Sequence, residues 1–213
     1  MYTPKKEGIM KKTALLLTTL SIGVNSYWLS AMECSDLIDK LEGLAKQVKT
    51  GSNFVEATEA VETNMLSNNQ AVQHVSFMLS KELFKQQYTP AFETAFQTAQ
   101  LQLKSDNKDN QAWARIILNE LLENKFSAAF DFATQAAQKG MQINYKPILR
   151  YSLAIFETLF KNRYAPAFDA AEQAIEQAEK DSSWQMRDRT VNYFDIQDAA
   201  RKLEDALHNA RQK

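Results

Sequence analysis

Three segments of this chain repeat one another. Leu83–Ala99 reads "LFKQQYTPAFETAFQTA", Leu121–Ala137 reads "LLENKFSAAFDFATQAA", and Leu159–Ile175 reads "LFKNRYAPAFDAAEQAI". The aromatic landmarks Tyr88, Phe126 and Tyr164 recur with a period of 38, and a fainter copy opens at Phe54, at the shorter offset of 34 from Tyr88. A fixed period of this length marks an array of supersecondary units. Each unit alone cannot bury its apolar face, and stacked neighbours bury it for one another.

Each copy reads as two helices. The first carries apolar residues at Val75, Met78, Leu79 and Leu83, then at Trp113, Ile116, Ile117 and Leu121, then at Tyr151, Ala154, Ile155 and Leu159. Offsets of 0, 3, 4 and 8 lie on one side of an α-helix, so these sets are the expected core stripe. A polar break follows ("KQQ", "ENK", "KNR"). The second helix is expected to start at Thr89 as N-cap with Pro90 at the first position, at Ser127 in the next copy, and at Pro166 behind the poor cap Ala165. Alanines then recur at Ala91, Ala95 and Ala99, at Ala129, Ala133 and Ala137, and at Ala167 and Ala171. Small residues four apart share a face and let a neighbouring helix approach closely. Phe92, Phe130 and Phe168 stand beside that stripe to fill volume. Tyr88, Phe126 and Tyr164 are expected to lock the turn within each pair. Gly140 is expected as the glycine that ends a helix, and Pro147 lies near the start of the next.

Only five glycines and four prolines occur, which argues against the many tight turns of an all-β chain. The expected fold is all-α: a right-handed α-solenoid of about four antiparallel helix pairs over 33–181, closed by C-terminal capping helices over 182–213. In that last stretch Ile196, Ala199, Leu203 and Leu207 form an apolar stripe that Asp195 is placed to cap.

The motifs Tyr88-x-x-Ala91-Phe92-Glu93, Phe126-x-x-Ala129-Phe130-Asp131 and Tyr164-x-x-Ala167-Phe168-Asp169 resemble the second helix of tetratricopeptide repeats. Thr98, Ala136 and Ala174 fall where that family usually has alanine, and Trp113 and Tyr151 where it favours an aromatic. The resemblance spans about Ser35 to Glu179. The departures are Leu79, Ile117 and Ile155 at the small first-helix position, Glu82, Glu120 and Thr158 at its second aromatic, and a period of 38 in place of 34. The resemblance implies a groove that binds a protein or peptide.

The N-terminus has its own pattern. Lys5, Lys6, Lys11 and Lys12 precede the uncharged run "TALLLTTLSIGVNSYWLSAM", Thr13 to Met32. This reads as a secretory signal peptide over 1–31, cleaved after Ala31, with Met10 an alternative start. A retained membrane anchor is the other reading, since the uncharged run approaches the length of a spanning helix. Both place the rest of the chain outside the cytoplasm, and the membrane is met only through this segment if uncleaved. Glu33 before Cys34 departs from a lipid-attachment pattern. Cleavage removes four lysines and Glu7, taking the net charge from −1 to −4. With Cys34 the one cysteine, no internal disulfide is available.

Motifs for chemistry are missing from the sequence. The two histidines, His74 and His208, are far apart, and no Cys/His set has zinc spacing. Glu204 and His208 lie four apart on a helix and read as a solvated pair. The glycines are isolated, so no phosphate loop forms, and no G-x-S-x-G nucleophile pattern occurs. No catalytic residue, metal or cofactor is expected. Basic residues are interleaved with acids, so no nucleic-acid partner is expected. The candidate partner-binding residues are first-helix positions off the core stripe: Phe77, Ser80, Arg115, Leu118, Leu153 and Phe156. Several are apolar, and either burial or partner contact accounts for them. The expected function is an exported scaffold that binds a protein or peptide. The alternative is a membrane-anchored structural or spacer protein of the cell envelope. The oligomeric state is open.

Overall fold

The computed structural model describes residues 34–67, 69–185 and 194–212. Among these the chain forms nine α-helices and no strand. In order they are α1 (34–49), α2 (Phe54–Asn64), α3 (Gln70–Lys85), α4 (Thr89–Leu103), α5 (Lys108–Glu123), α6 (Phe130–Gly140), α7 (Lys146–Lys161), α8 (Pro166–Gln185) and α9 (Phe194–Arg211). The segment 1–31 and the run Thr13 to Met32 lie outside the described residues.

The repeat resides first in its corners. In three successive units the residue before the aromatic landmark takes a left-handed backbone: Gln87 at φ 56°, Lys125 at 59° and Arg163 at 54°. Each corner closes with the same two bonds. Tyr88 N–H donates to Leu83 C=O and Gln87 N–H to Phe84 C=O; Phe126 donates to Leu121 and Lys125 to Leu122; Tyr164 donates to Leu159 and Arg163 to Phe160. This pair of 6→1 and 5→2 bonds is the Schellman motif, which satisfies carbonyls that the end of a helix would otherwise leave bare. The landmark ring then packs on the unit before it: Tyr88 on Phe54 at 5.3 Å, Phe126 on Phe92 at 5.7 Å, Tyr164 on Phe130 at 5.2 Å. The corner between α1 and α2 differs, with its Schellman bonds at Gly51 and Ser52 and a left-handed Asn53 just before Phe54.

None of the three central corners uses the residue that a left-handed backbone favours. A side chain there costs about 1–2 kcal/mol, against the smaller unfolded-state entropy that glycine adds. Lys125 is exposed. Lys125→Gly is therefore expected to stabilise the protein by about 1 kcal/mol, read as a rise of about 2–4 °C in Tm for a chain of this size. A drop in Tm would show that the lysine is held by something other than its backbone.

The second helices bring the alanine stripe inward. Ala91, Ala95, Ala99, Ala129, Ala133, Ala137, Ala167 and Ala171 are fully buried. Phe92 stacks on Phe84 at 4.5 Å and Phe168 packs on Phe160 at 4.9 Å, tying these two second helices to the last turn of their own first helices. The helix starts differ from the expected caps. α4 begins at Thr89 itself, with Tyr88 at the cap position and no side-chain capping bond there. The copy without proline opens as a 3₁₀ turn, Ser127–Ala129, with no side-chain cap at Phe126. Proline's fixed φ prepares an α start in the other two copies. Side-chain capping occurs instead on the first helices α3 and α5, and not on α7. Asn69 accepts from Ala71 and Val72 N–H, and Asn107 accepts from Asp109 N–H. Ser67 and Ser105 in turn accept from the N–H groups of those two asparagines.

Contacts pass from unit to unit. α5 packs on α4 and α7, α6 on α7 and α8, and one cluster of buried side chains runs from Leu41 to Leu207. α9 meets α7 and α8 as α7 meets α5 and α6. It thus takes the place of a further first helix. First helices start at Gln70, Lys108 and Lys146, in step with the period, whereas α9 starts only at Phe194, after a longer interval. Extra chain before α9 hid this continuation from the period. Of the expected stripe Ile196, Ala199, Leu203 and Leu207, the last three are buried and Ile196 is partly buried against the core. Asp195 lies within the first turn of α9, where a negative charge meets the positive end of the helix dipole.

Candidate functional site

A first helix in this chain is covered on several sides. α3 meets α2 and α4, and α7 meets α5, α6, α8 and α9. At about 100° per residue, burial of Val72, Gln73, Ser76, Phe77, Leu79, Ser80, Glu82, Leu83 and Phe84 spreads over more than half of the circumference of α3. The one-sided stripe read from the sequence is therefore too narrow and is turned toward the wrong edge. Leu79, Leu83, Ile117, Leu121, Ile155 and Leu159 are buried as expected. Met78, from the same stripe, is 44% exposed, and Val75, Trp113, Ile116, Tyr151 and Ala154 are only partly buried.

The six candidate binding residues fare the opposite way. Phe77, Ser80, Arg115, Leu118 and Phe156 are buried, and Leu153 is partly buried against the core. Five of the six thus offer almost no exposed surface to a protein partner, and Arg115 alone of those five is placed on the wall of a larger internal space. Ser80 Oγ donates to Phe77 C=O within its own helix. Arg115, only 2% exposed, donates from Nε to Ser152 Oγ at 3.1 Å, from Nη1 to Gln111 C=O at 2.9 Å and from Nη2 to Ala136 C=O at 2.9 Å. Burial pushes its guanidinium down to about 10, still charged at neutral pH.

What remains accessible on the first helices is a strip crossing α3, α5 and α7. Val75, Met78, Trp113, Ile116, Tyr151 and Ala154 occupy equivalent positions of the repeat on the three helices. Trp113 closes against α3, 6.2 Å from the His74 ring and 6.0 Å edge-on to Phe77. One side of the strip is bounded by polar rungs in constant register. Lys81 Nζ pairs with Glu120 at 2.9 Å, and Thr158 Oγ1 donates to Asn119 Oδ1 at 2.8 Å, each rung joining one first helix to the next. Arg150 lies over the Tyr151 ring at 5.7 Å. An apolar floor with a charged rim has the composition of a binding surface.

Farther from the strip, Tyr145 donates its hydroxyl to Asp109 and Tyr164 donates to Asp131. Each phenol is held above its ordinary range, chiefly because the bonded carboxylate opposes loss of the proton. Glu204 and His208 are exposed, with His208 Nε2 2.7 Å from Gln212 Nε2. Among the described residues no three metal-ligating side chains converge, and no helix is long and apolar enough to cross a membrane. Neither a family model, nor a curated protein, nor a solved structure matches the chain.

Proposed function

We propose that this is an exported helical-repeat protein, divergent from the tetratricopeptide pattern, that binds a protein or peptide partner without catalysing a reaction. The observation that carries it is the strip Val75, Met78, Trp113, Ile116, Tyr151 and Ala154, where three helices in register leave Met78 exposed and the other five half-buried. The helix pairs stack as a right-handed α-solenoid in this reading. Its support is the recurring corner and the cross-unit bonds in near-constant register, such as Gln73 to Asn110 and Arg115 to Ser152. Bonds between nearest neighbours alone are what a quasi-one-dimensional array makes. A regular surface of parallel helix faces suits an amphipathic or extended segment with apolar anchors.

The test replaces surface residues. Met78→Glu with Ile116→Glu is expected to lower capture of a partner from the exported compartment by at least about tenfold, since charges would face desolvated apolar anchors. Far-UV circular dichroism is expected to match the parent. Undiminished capture by the double variant would move the binding surface elsewhere.

The second reading, a membrane-anchored structural or spacer protein of the envelope, is favoured by the uncharged run Thr13 to Met32. N-terminal sequencing of the mature protein separates the two. A start near Met32 supports the exported form, and a start at Met1 or Met10 supports the anchor.

A further inference from the structure

We propose that the partly open space between α4, α5 and α6 is a binding site for an organic carboxylate with an apolar body, held by Arg115 and flanked by Lys104 and Lys139. The cavity measures about 390 Å³, within the roughly 300–1,000 Å³ of small-ligand sites. Leu103, Phe132 and Ile143 supply apolar wall, while Lys104 and Lys139 stand exposed at its edge. None of the side chains lining it is acidic.

Arg115 is the reason to look here. A guanidinium carries five N–H donors, and three are committed to neutral oxygens of Ser152, Gln111 and Ala136. No carboxylate among the described residues pairs with it. Taking an unpaired cation out of water is expensive unless something answers its charge. The fold does not require that expense. The equivalent positions one period earlier and one period later hold Phe77 and Leu153, and both pack into the same core without a charge. A local rule broken in one unit and kept in its neighbours points to function. Three cations around one cavity raise its potential for an anion, and a guanidinium on its wall can donate a charge-assisted hydrogen bond to a carboxylate. The apolar wall calls for a hydrocarbon or apolar side chain behind the carboxylate. That chemistry is shared by a medium-chain fatty acid and by a peptide C-terminus ending in an apolar residue.

The experiment titrates the full chain by calorimetry with decanoate, with decanol, and with an N-acetyl tetrapeptide ending in leucine as free acid and as amide. At least one carboxylate is expected to saturate one site per chain, about tenfold or more tighter than its uncharged counterpart. Whichever acid binds more tightly identifies the source. Arg115→Met, which places an unbranched apolar chain at a position the repeat fills with apolar residues, is expected to fold and to weaken binding about tenfold or more. Lys104→Gln with Lys139→Gln, both exposed, is expected to weaken it several-fold and does not depend on the core. The proposal is overturned if no carboxylate saturates one site, if acid and neutral forms bind alike, or if both variants keep the parent affinity.

Discussion

Gly140→Ala is expected to destabilise the protein by about 2–3 kcal/mol, although alanine is the better helix former. Gly140 is the last residue of α6, and its backbone is not left-handed; the expected helix-ending role falls away. Its missing side chain matters for another reason. A β-carbon there would stand 2.0 Å from Ser152 Oγ, 2.6 Å from Arg115 Nε and 2.9 Å from Arg115 Nη2. Ser152 and Arg115 are both buried and bonded to each other, so a shift of either to make room breaks that bond. Overpacking of this kind costs about 1–3 kcal/mol, and displacing Ser152 or Arg115 breaks hydrogen bonds worth about 1 kcal/mol each. These together exceed the roughly 1 kcal/mol of helix propensity that alanine adds. Gly43 supplies the control. It lies inside α1, and a β-carbon there would meet no atom within 4 Å. Gly43→Ala is therefore expected to stabilise by up to about 1 kcal/mol. Urea unfolding would show opposite shifts of midpoint for the two variants at similar slope. A Gly140→Ala midpoint at or above the parent would mean that the Arg115–Ser152 contact yields easily.

These two glycines show where sequence reasoning succeeds in this chain and where it fails. The period was legible because each corner places the same demand on the chain. An aromatic must follow a left-handed residue, and alanines must follow the aromatic. Tyr88, Phe126 and Tyr164 accordingly occupy matching surroundings. The all-helical class was legible from the same offsets. The accessible face was not. Periodicity reports that a helix has an apolar side but not how many neighbours it touches. With neighbours on several sides, Phe77 and Phe156 went inward, and Met78 came out. The caps Asn69 and Asn107 had a usable signal, the Ser-x-Asn of Ser67–Asn69 that recurs one period later as Ser105–Asn107. Gly140 had none. Its role depends on side chains of two other helices, Arg115 on α5 and Ser152 on α7, and no local pattern encodes that.

Arg115→Glu is expected to cost more than any of these changes, a loss of about 3–5 kcal/mol. From the sequence, Arg115 is a candidate partner contact whose reversal would weaken binding and spare the fold. Its burial reverses that expectation. The guanidinium donates to three oxygens: Ser152 Oγ, Gln111 C=O and Ala136 C=O. Glutamate at neutral pH has no donor for any of them. Its charge would sit among acceptors, away from water, and the cost of an uncompensated buried charge is in the range of about 3–5 kcal/mol. Glutamate relieves this only by taking up a proton, so its carboxyl is expected to titrate well above the usual carboxylate range. The sign of the pH dependence follows. A raised folded pKa means that the variant is relatively most stable below the unfolded carboxyl value and loses stability as pH rises through the folded one. The deficit against the parent is thus expected to be smallest near about pH 4 and largest near about pH 8. Arg115→Met should show no such trend. It leaves no charge, and the carbonyls of Gln111 and Ala136 keep the bonds that α5 and α6 give them from Arg115 N–H and Gly140 N–H, four residues on. Thermal unfolding of the two variants across pH separates lost charge from lost volume. A glutamate variant as stable as the parent at about pH 8 would place the Arg115 side chain in solvent rather than in the core.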